Sequence, residues 1–110
     1  MTDRSHPATQ LDGVVHQRVR LGLLAVLTEA DSADFTYLRD RLDLTDGNLA
    51  RHLHVLEEAG FVEIEKATDG QRARTWIHAT RQGRRALSEH LATLQAIIDM
   101  AGGTQGGDPT

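Results

Sequence analysis

"LTDGNLARHLHVLEEAGFVEI", Leu44 to Ile64, is the stretch that decides the fold. At helical spacing, Leu49, Leu53 and Leu56 fall within about 60° of one another and form a buried stripe. Thr45 is placed to cap this helix, expected over 46–59, and Asp46 suits its positive end. Gly60 is the left-handed residue expected to end it. Asn48, Arg51, His52 and Val55 fall within about 100°, centred well away from the leucines. Near its N-terminal end that face carries no Glu or Lys, and Glu57 and Glu58 sit at the far end. Gly47 is the odd residue. In the first turn it costs up to ~1 kcal/mol of helix propensity against Ala. A solvated helix face gives no reason for that. A helix end pressed on a phosphate does, because backbone N–H groups approach closely where no side chain intervenes.

The surroundings of this helix follow from pattern. An amphipathic helix is expected over about Asp12 to Glu29, with Val15, Val19 and Val26 on one stripe and Leu23 and Leu27 beside it. Leu21 and Leu24 extend the apolar surface round the cylinder, so this helix must be covered on more than one side, by its own core and by a second subunit. Asp31–Asp34 reads as a polar connection. Thr36 can cap a short helix through about Leu42, with Phe35 just before it in hydrophobic-staple position. Asp43–Thr45 is a tight turn. Two short helices so joined make a helix-turn-helix.

Beyond Gly60, Phe61–Thr68 and Arg74–Ala79 alternate as strands round an Asp-Gly hairpin signal. A two-residue loop pairs Ile64 with Thr75; a four-residue loop pairs Ile64 with Ile77. Either register puts Glu63, Glu65, Arg74, Trp76 and His78 on the outer face. Thr80 caps a last helix to about Met100, where Leu87, Leu91, Leu94 and Ile98 make a short a/d seam. The fold class is therefore mainly α with a β-hairpin wing: a winged helix-turn-helix with long first and last helices. Residues 1–10 read as a flexible arm, 11–100 as the domain, and 101–110, Gly-rich, as a disordered tail.

An N-terminal end of such a helix meets base edges in the major groove. Asn48 can bond adenine, Arg51 can bond guanine bidentately, and His52 can meet a base edge or a phosphate. Asp46 can accept from a cytosine amino group, although electrostatics at the helix start is the stronger reading. Gln71, Arg72 and Arg74 lie at or near the wing tip, placed for the DNA backbone or the minor groove. The net charge of -4 argues against a nucleic-acid partner on its face. Its distribution argues the other way: Gln71–Arg85 holds five arginines and no acid. Arg81, Arg84 and Arg85 can contact phosphate or pair with acids.

"LTDGNLARHLHVLEEAGFVEIEK" followed by "RARTWIHATRQGRRAL" resembles the small winged-helix transcriptional regulators of the MarR/ArsR-like group. "HQRVRLGLLAVL" is similar to that group's first helix. Ala73 stands where the group commonly has a wing proline. The resemblance implies a homodimer on a pseudo-palindromic double-stranded DNA site, dimerised through the terminal helices. The interface residues expected on those helices are Val15, Val19, Leu87, Leu91, Leu94 and Ile98. The DNA-binding set is Thr45, Gly47, Asn48, Arg51, His52, Gln71, Arg72 and Arg74.

Other classes are weaker. Cysteine is absent, which excludes thiolate metal sites and disulfides. Six histidines raise a metal-responsive reading, but no H-x-x-x-H pair shares a helix, leaving a site such as His16 with His90 across a dimer. No triad, phosphate loop or nucleotide motif points to an enzyme, and no cofactor is expected. No apolar run approaches a membrane span, and no signal segment is evident, so a cytoplasmic protein is expected. A winged helix used for protein–protein contact is the alternative that would suit the acidic balance.

Overall fold

Aliphatic side chains from every major element meet in one core. Leu23, Leu24, Leu27, Leu38, Leu49, Leu56 and Ile77 are fully buried there. A computed structural model describes residues 6–102. After a 3-10 turn, Pro7–Gln10, come α1 (Arg18–Glu29), β1 (Ala33–Asp34), α2 (Phe35–Arg41) and α3 (Asp46–Glu58). The chain continues through β2 (Val62–Asp69), β3 (Arg72–Ala79) and α4 (Arg81–Met100). The sheet is antiparallel with strand order β1-β3-β2. The Pro7–Gln10 turn lies against α4. Residues 1–5 and 103–110, the outer parts of the expected arm and tail, lie outside the described residues.

In the first half of the chain three features differ from expectation, each for a hydrogen-bonding reason. α1 starts at Arg18 because Gln17, in extended backbone, is its N-cap and accepts from the N–H groups of Val19 and Arg20 at 2.9 Å. Residues 12–17 form a separate turn, in which Asp12 Oδ1 accepts from Val14 N at 2.8 Å. α2 is capped by Asp34, whose Oδ1 accepts from Tyr37 N at 2.8 Å, so Phe35 lies inside the helix rather than in staple position. Ala33 and Asp34 form a third strand, pairing with Ile77 and Trp76, where a polar connection was expected.

Both turns that bound α3 close by the same device. At its C-terminus, Phe61 N donates to Leu56 O and Gly60 N to Glu57 O, both at 2.9 Å, with Gly60 at φ 81°. That is a Schellman motif, and buried Phe61 and Leu56 complete it. At the α2–α3 turn, Leu44 N donates to Arg39 O at 2.9 Å and Asp43 N to Asp40 O at 3.3 Å. Here Asp43 takes the left-handed position, φ 56°, that glycine usually fills. The hairpin pairs Ile64 with Ile77, the register of the longer loop, but pairing continues to Asp69 and Arg72 and leaves only Gly70 and Gln71 as the turn.

α4 is locked at its start. Thr80 Oγ1 accepts from Gly83 N at 2.9 Å and donates to Gly60 O at 2.7 Å. A Cβ on Gly83 would drive into the carbonyl oxygen of Phe61. This glycine lets α4 approach the end of α3 closely. Further along α4, Leu87 and His90 are buried.

The expected dimer set divides accordingly. Val15 and Leu87 are withdrawn from it, because they lie inside the core of the single chain, at 0% and 5% exposure. Val19 and Leu94 are half-buried, and Leu91 and Ile98 are exposed. No helix among the described residues is long and apolar enough to cross a membrane.

Gly83→Ala should destabilise the fold by roughly 1–3 kcal/mol or more in urea unfolding, because backbone must move to admit the methyl. His90 is held below its ordinary imidazole value by burial, then by His16, with Asp12 pulling weakly the other way. A lowered folded-state value means the unfolded chain binds the proton first. Stability should be whole above about pH 6.5 and fall as pH drops below it, measured by urea unfolding, with a shallower fall in His90→Leu.

Candidate nucleic-acid interface

α3 presents its unburied face beyond the leucine stripe. Thr45 Oγ1 accepts from Asn48 N at 3.1 Å, so the cap read from sequence is in place. Asn48 and Arg51 are exposed, and Arg51 Nη2 donates to Asn48 Oδ1 at 3.1 Å. That contact orients the two side chains together and turns the Asn48 amide N–H groups away from Arg51. Asp46 accepts from Arg39 Nη1 at 3.0 Å, and Arg39 also donates to Asp40 at 3.0 Å. The pair is exposed and adds little stability. It does tie α2 to α3 and offsets the repulsion Asp46 would exert on a phosphate at the helix start.

Gly47 is exposed, and a Cβ built on it meets nothing within 4 Å. Its φ is outside the left-handed region. Nothing among the described residues requires glycine there, in contrast to Gly83.

His52 differs from its neighbours. It is half-buried, and its Nδ1 lies 3.1 Å from Arg20 Nη1. Arg20 also donates from Nε to Val14 O at 2.7 Å and from Nη2 to Gly13 O at 3.4 Å. Burial, then the positive charges of Arg20 and Arg51, hold His52 below the ordinary imidazole value. Both causes favour its uncharged form. Arg20 was not singled out by sequence: it is 32 residues from His52, and no periodicity connects them. His54 is exposed, and with Ala50, Leu53 and Glu57 it lines a groove of about 730 Å³ between α3 and the hairpin.

On the far side of that groove the wing residues divide. Gln71 and Arg72 are exposed at the tip. Arg74 is half-buried, donates to Asp34 Oδ2 at 2.9 Å and sits 5.9 Å from the Trp76 ring centroid. It ties the hairpin to the capping residue of α2, so part of its charge is spent within the fold. Arg84 similarly donates to Thr28 O at 3.1 Å and Leu27 O at 3.3 Å, satisfying carbonyls at the end of α1. Arg81 and Arg85 are exposed.

His16 and His90 do meet, but within one chain: His16 Nδ1 is 3.1 Å from His90 Nε2. Among the described residues no group of three or more His, Asp or Glu side chains is placed to hold a metal ion.

Residues 19–98 match the family model described as a winged helix DNA-binding domain. An uncharacterized protein of Methanocaldococcus jannaschii is 44% identical over 73 residues, covering 66% of this chain and 79% of that one. A riboflavin kinase of Haloquadratum walsbyi is 37% identical over 61 residues, covering 56% of this chain but 24% of the kinase. Among solved structures, a transcriptional regulator homologue from Pyrococcus horikoshii OT3 superposes with TM-score 0.83 at 31% identity, covering 88% of this chain and 98% of that one. The M. tuberculosis regulator MOSR in complex with DNA shares the fold, with TM-score 0.64 at 21% identity over 87% of this chain and 68% of its own.

Gly47 gives the sharpest local test. Gly47→Ala should leave urea stability unchanged or raise it by up to ~1 kcal/mol, from helix propensity alone. Gly47→Leu should stay folded and weaken duplex DNA binding by roughly tenfold, about 1.4 kcal/mol, in a fluorescence titration.

Proposed function

This chain belongs to the winged helix DNA-binding domain family, and from that premise we propose that it is a sequence-specific, double-stranded DNA-binding transcriptional regulator acting in the cytoplasm as a homodimer. The observation that carries the reading is the outer face of α3. It joins a capped N-terminus, a glycine with open space above it, and the oriented Asn48–Arg51 pair. α3 enters the major groove and Asn48, Arg51 and His52 meet base edges. Thr45 and Gly47 seat the helix end on the backbone, where its N–H groups and dipole favour phosphate. Gln71 and Arg72 at the hairpin tip follow the adjacent backbone or enter the minor groove, with Arg74 holding the hairpin at its angle.

Dimerisation is proposed from surplus apolar surface. Leu91 and Ile98 are half exposed and Met100 more so, with Leu94 on the same helix half-buried. Pairing α4 and the edge of α1 marked by Val19 with a second copy would cover this stripe and set two recognition helices to read a pseudo-palindrome.

Selection of genomic fragments by the purified protein tests the proposal. The expected product is an inverted repeat with half-sites centred about 10–10.5 base pairs apart, or a multiple of that. No enriched sequence would favour a protein partner instead, and a lone half-site would remove the dimer. On the selected site, Arg51→Ala should cost roughly 1–3 kcal/mol and relax preference at one position. Arg72→Ala should weaken all sequences alike and reduce the magnitude of the salt slope by about 1.

A further inference from the structure

We propose that Arg20 is a positioning residue for DNA reading: by donating to Nδ1 of His52 it fixes that ring as the Nε2–H tautomer. His52 then presents a hydrogen-bond donor, and no acceptor, to a base edge in the major groove. The inference rests on the DNA-binding reading above and adds a specificity rule to it.

The chemistry leaves one assignment. A guanidinium has only donors and keeps its protons. With Arg20 Nη1 3.1 Å from His52 Nδ1, that nitrogen must offer its lone pair. A neutral imidazole with a bare Nδ1 carries its hydrogen on Nε2. Nε2 of His52 has no hydrogen-bond partner among the described residues and is not fully buried, so it is open to a partner. His52 sits one helical turn after Asn48 on α3, within reach of the same groove.

Arg20 is itself unable to swing away cheaply. Its Nε and Nη2 are engaged by the carbonyls of Val14 and Gly13. Those residues belong to the turn that Asp12 closes through Val14 N and Val15 N. A first-helix arginine thus reaches across to the recognition helix from a rigid mount. A histidine without such a partner could donate or accept and would tolerate any base. A donor-only His52 accepts guanine N7 or O6, adenine N7 or thymine O4 opposite it, and rejects cytosine, which offers an amino donor there.

The test has two arms on the full chain. Nitrogen-15 spectra of the imidazoles report the tautomer directly. The expected result is Nε2–H for His52 in the unmodified protein and a tautomer mixture in Arg20→Met. Binding to a panel of single-base-pair variants of the selected site reports the consequence. One position should reject cytosine by roughly three- to tenfold, the worth of one hydrogen bond. That discrimination should vanish in both His52→Ala and Arg20→Met, while the position lost in Arg51→Ala is still read. Arg20→Lys, which keeps the charge but lacks the fork, should lose it in part and serves if Arg20→Met does not fold. Nδ1–H or a charged ring in the unmodified protein would overturn the proposal. So would an Arg20→Met protein that keeps the discrimination, or a His52→Ala loss uniform over all sequences, which marks a phosphate contact. Failure of the unmodified protein to bind any duplex would sink the DNA reading itself, and is told apart because the tautomer spectrum is read without DNA.

Discussion

The burial of Leu49, Leu53 and Leu56 is the constraint on which the rest of the structure depends. Each fully buried leucine contributes roughly 1.5–3 kcal/mol relative to exposure. Three on one stripe therefore fix the rotation of α3 about its axis, and with it the direction in which Arg51 points. The two Schellman turns then fix where α3 begins and ends. One uses Gly60 and the other places Asp43 in a conformation that glycine would adopt with less strain. Thr80 and Gly83 complete the arrangement by docking the start of α4 onto the Gly60–Phe61 corner. The outer face of α3 is what remains after the chain has satisfied its own core.

The arginines divide along the same line. Arg20, Arg39, Arg74 and Arg84 are engaged with carbonyls, carboxylates or His52, and each ties two elements together. Arg51, Arg72, Arg81 and Arg85 are exposed. Net charge conceals this. A chain with formal charge -4 can still present cations where α3 and the hairpin emerge, because binding responds to local potential more than to the sum. It also explains why counting arginines in Gln71–Arg85 overstates the charge available to a partner: Arg74 and Arg84 are already in use within the fold.

What could be read from sequence were the features decided within a few residues. α3, its Thr45 cap, its Gly60 terminus, the hairpin and the Thr80 cap are all of this kind, each carried by a spacing or a residue with one strong backbone preference. What could not be read depended on distant partners or on competition between near neighbours. Asp34 rather than Thr36 caps α2 because Asp34 is also held in extended backbone by pairing with Trp76, far along the chain. Gln17 starts α1 although the apolar pattern runs on to Val15, which turns inward from a separate turn. Val15 and Leu87 read as surface for a second copy because periodicity marks a residue as apolar without saying what covers it. The Arg20–His52 contact had no signature at all.

In the proposed binding mode the outer face of α3 and the hairpin tip engage the DNA backbone as well as its bases. Each arginine–phosphate contact releases counterions and adds about -0.9 to the slope of log affinity against log salt. The most direct measurement is therefore the affinity of the purified chain for duplex DNA over a series of salt concentrations. A steep fall with salt is expected, becoming shallower in Arg72→Ala. An affinity that is insensitive to salt, or no binding to duplex at low salt, would contradict that binding mode.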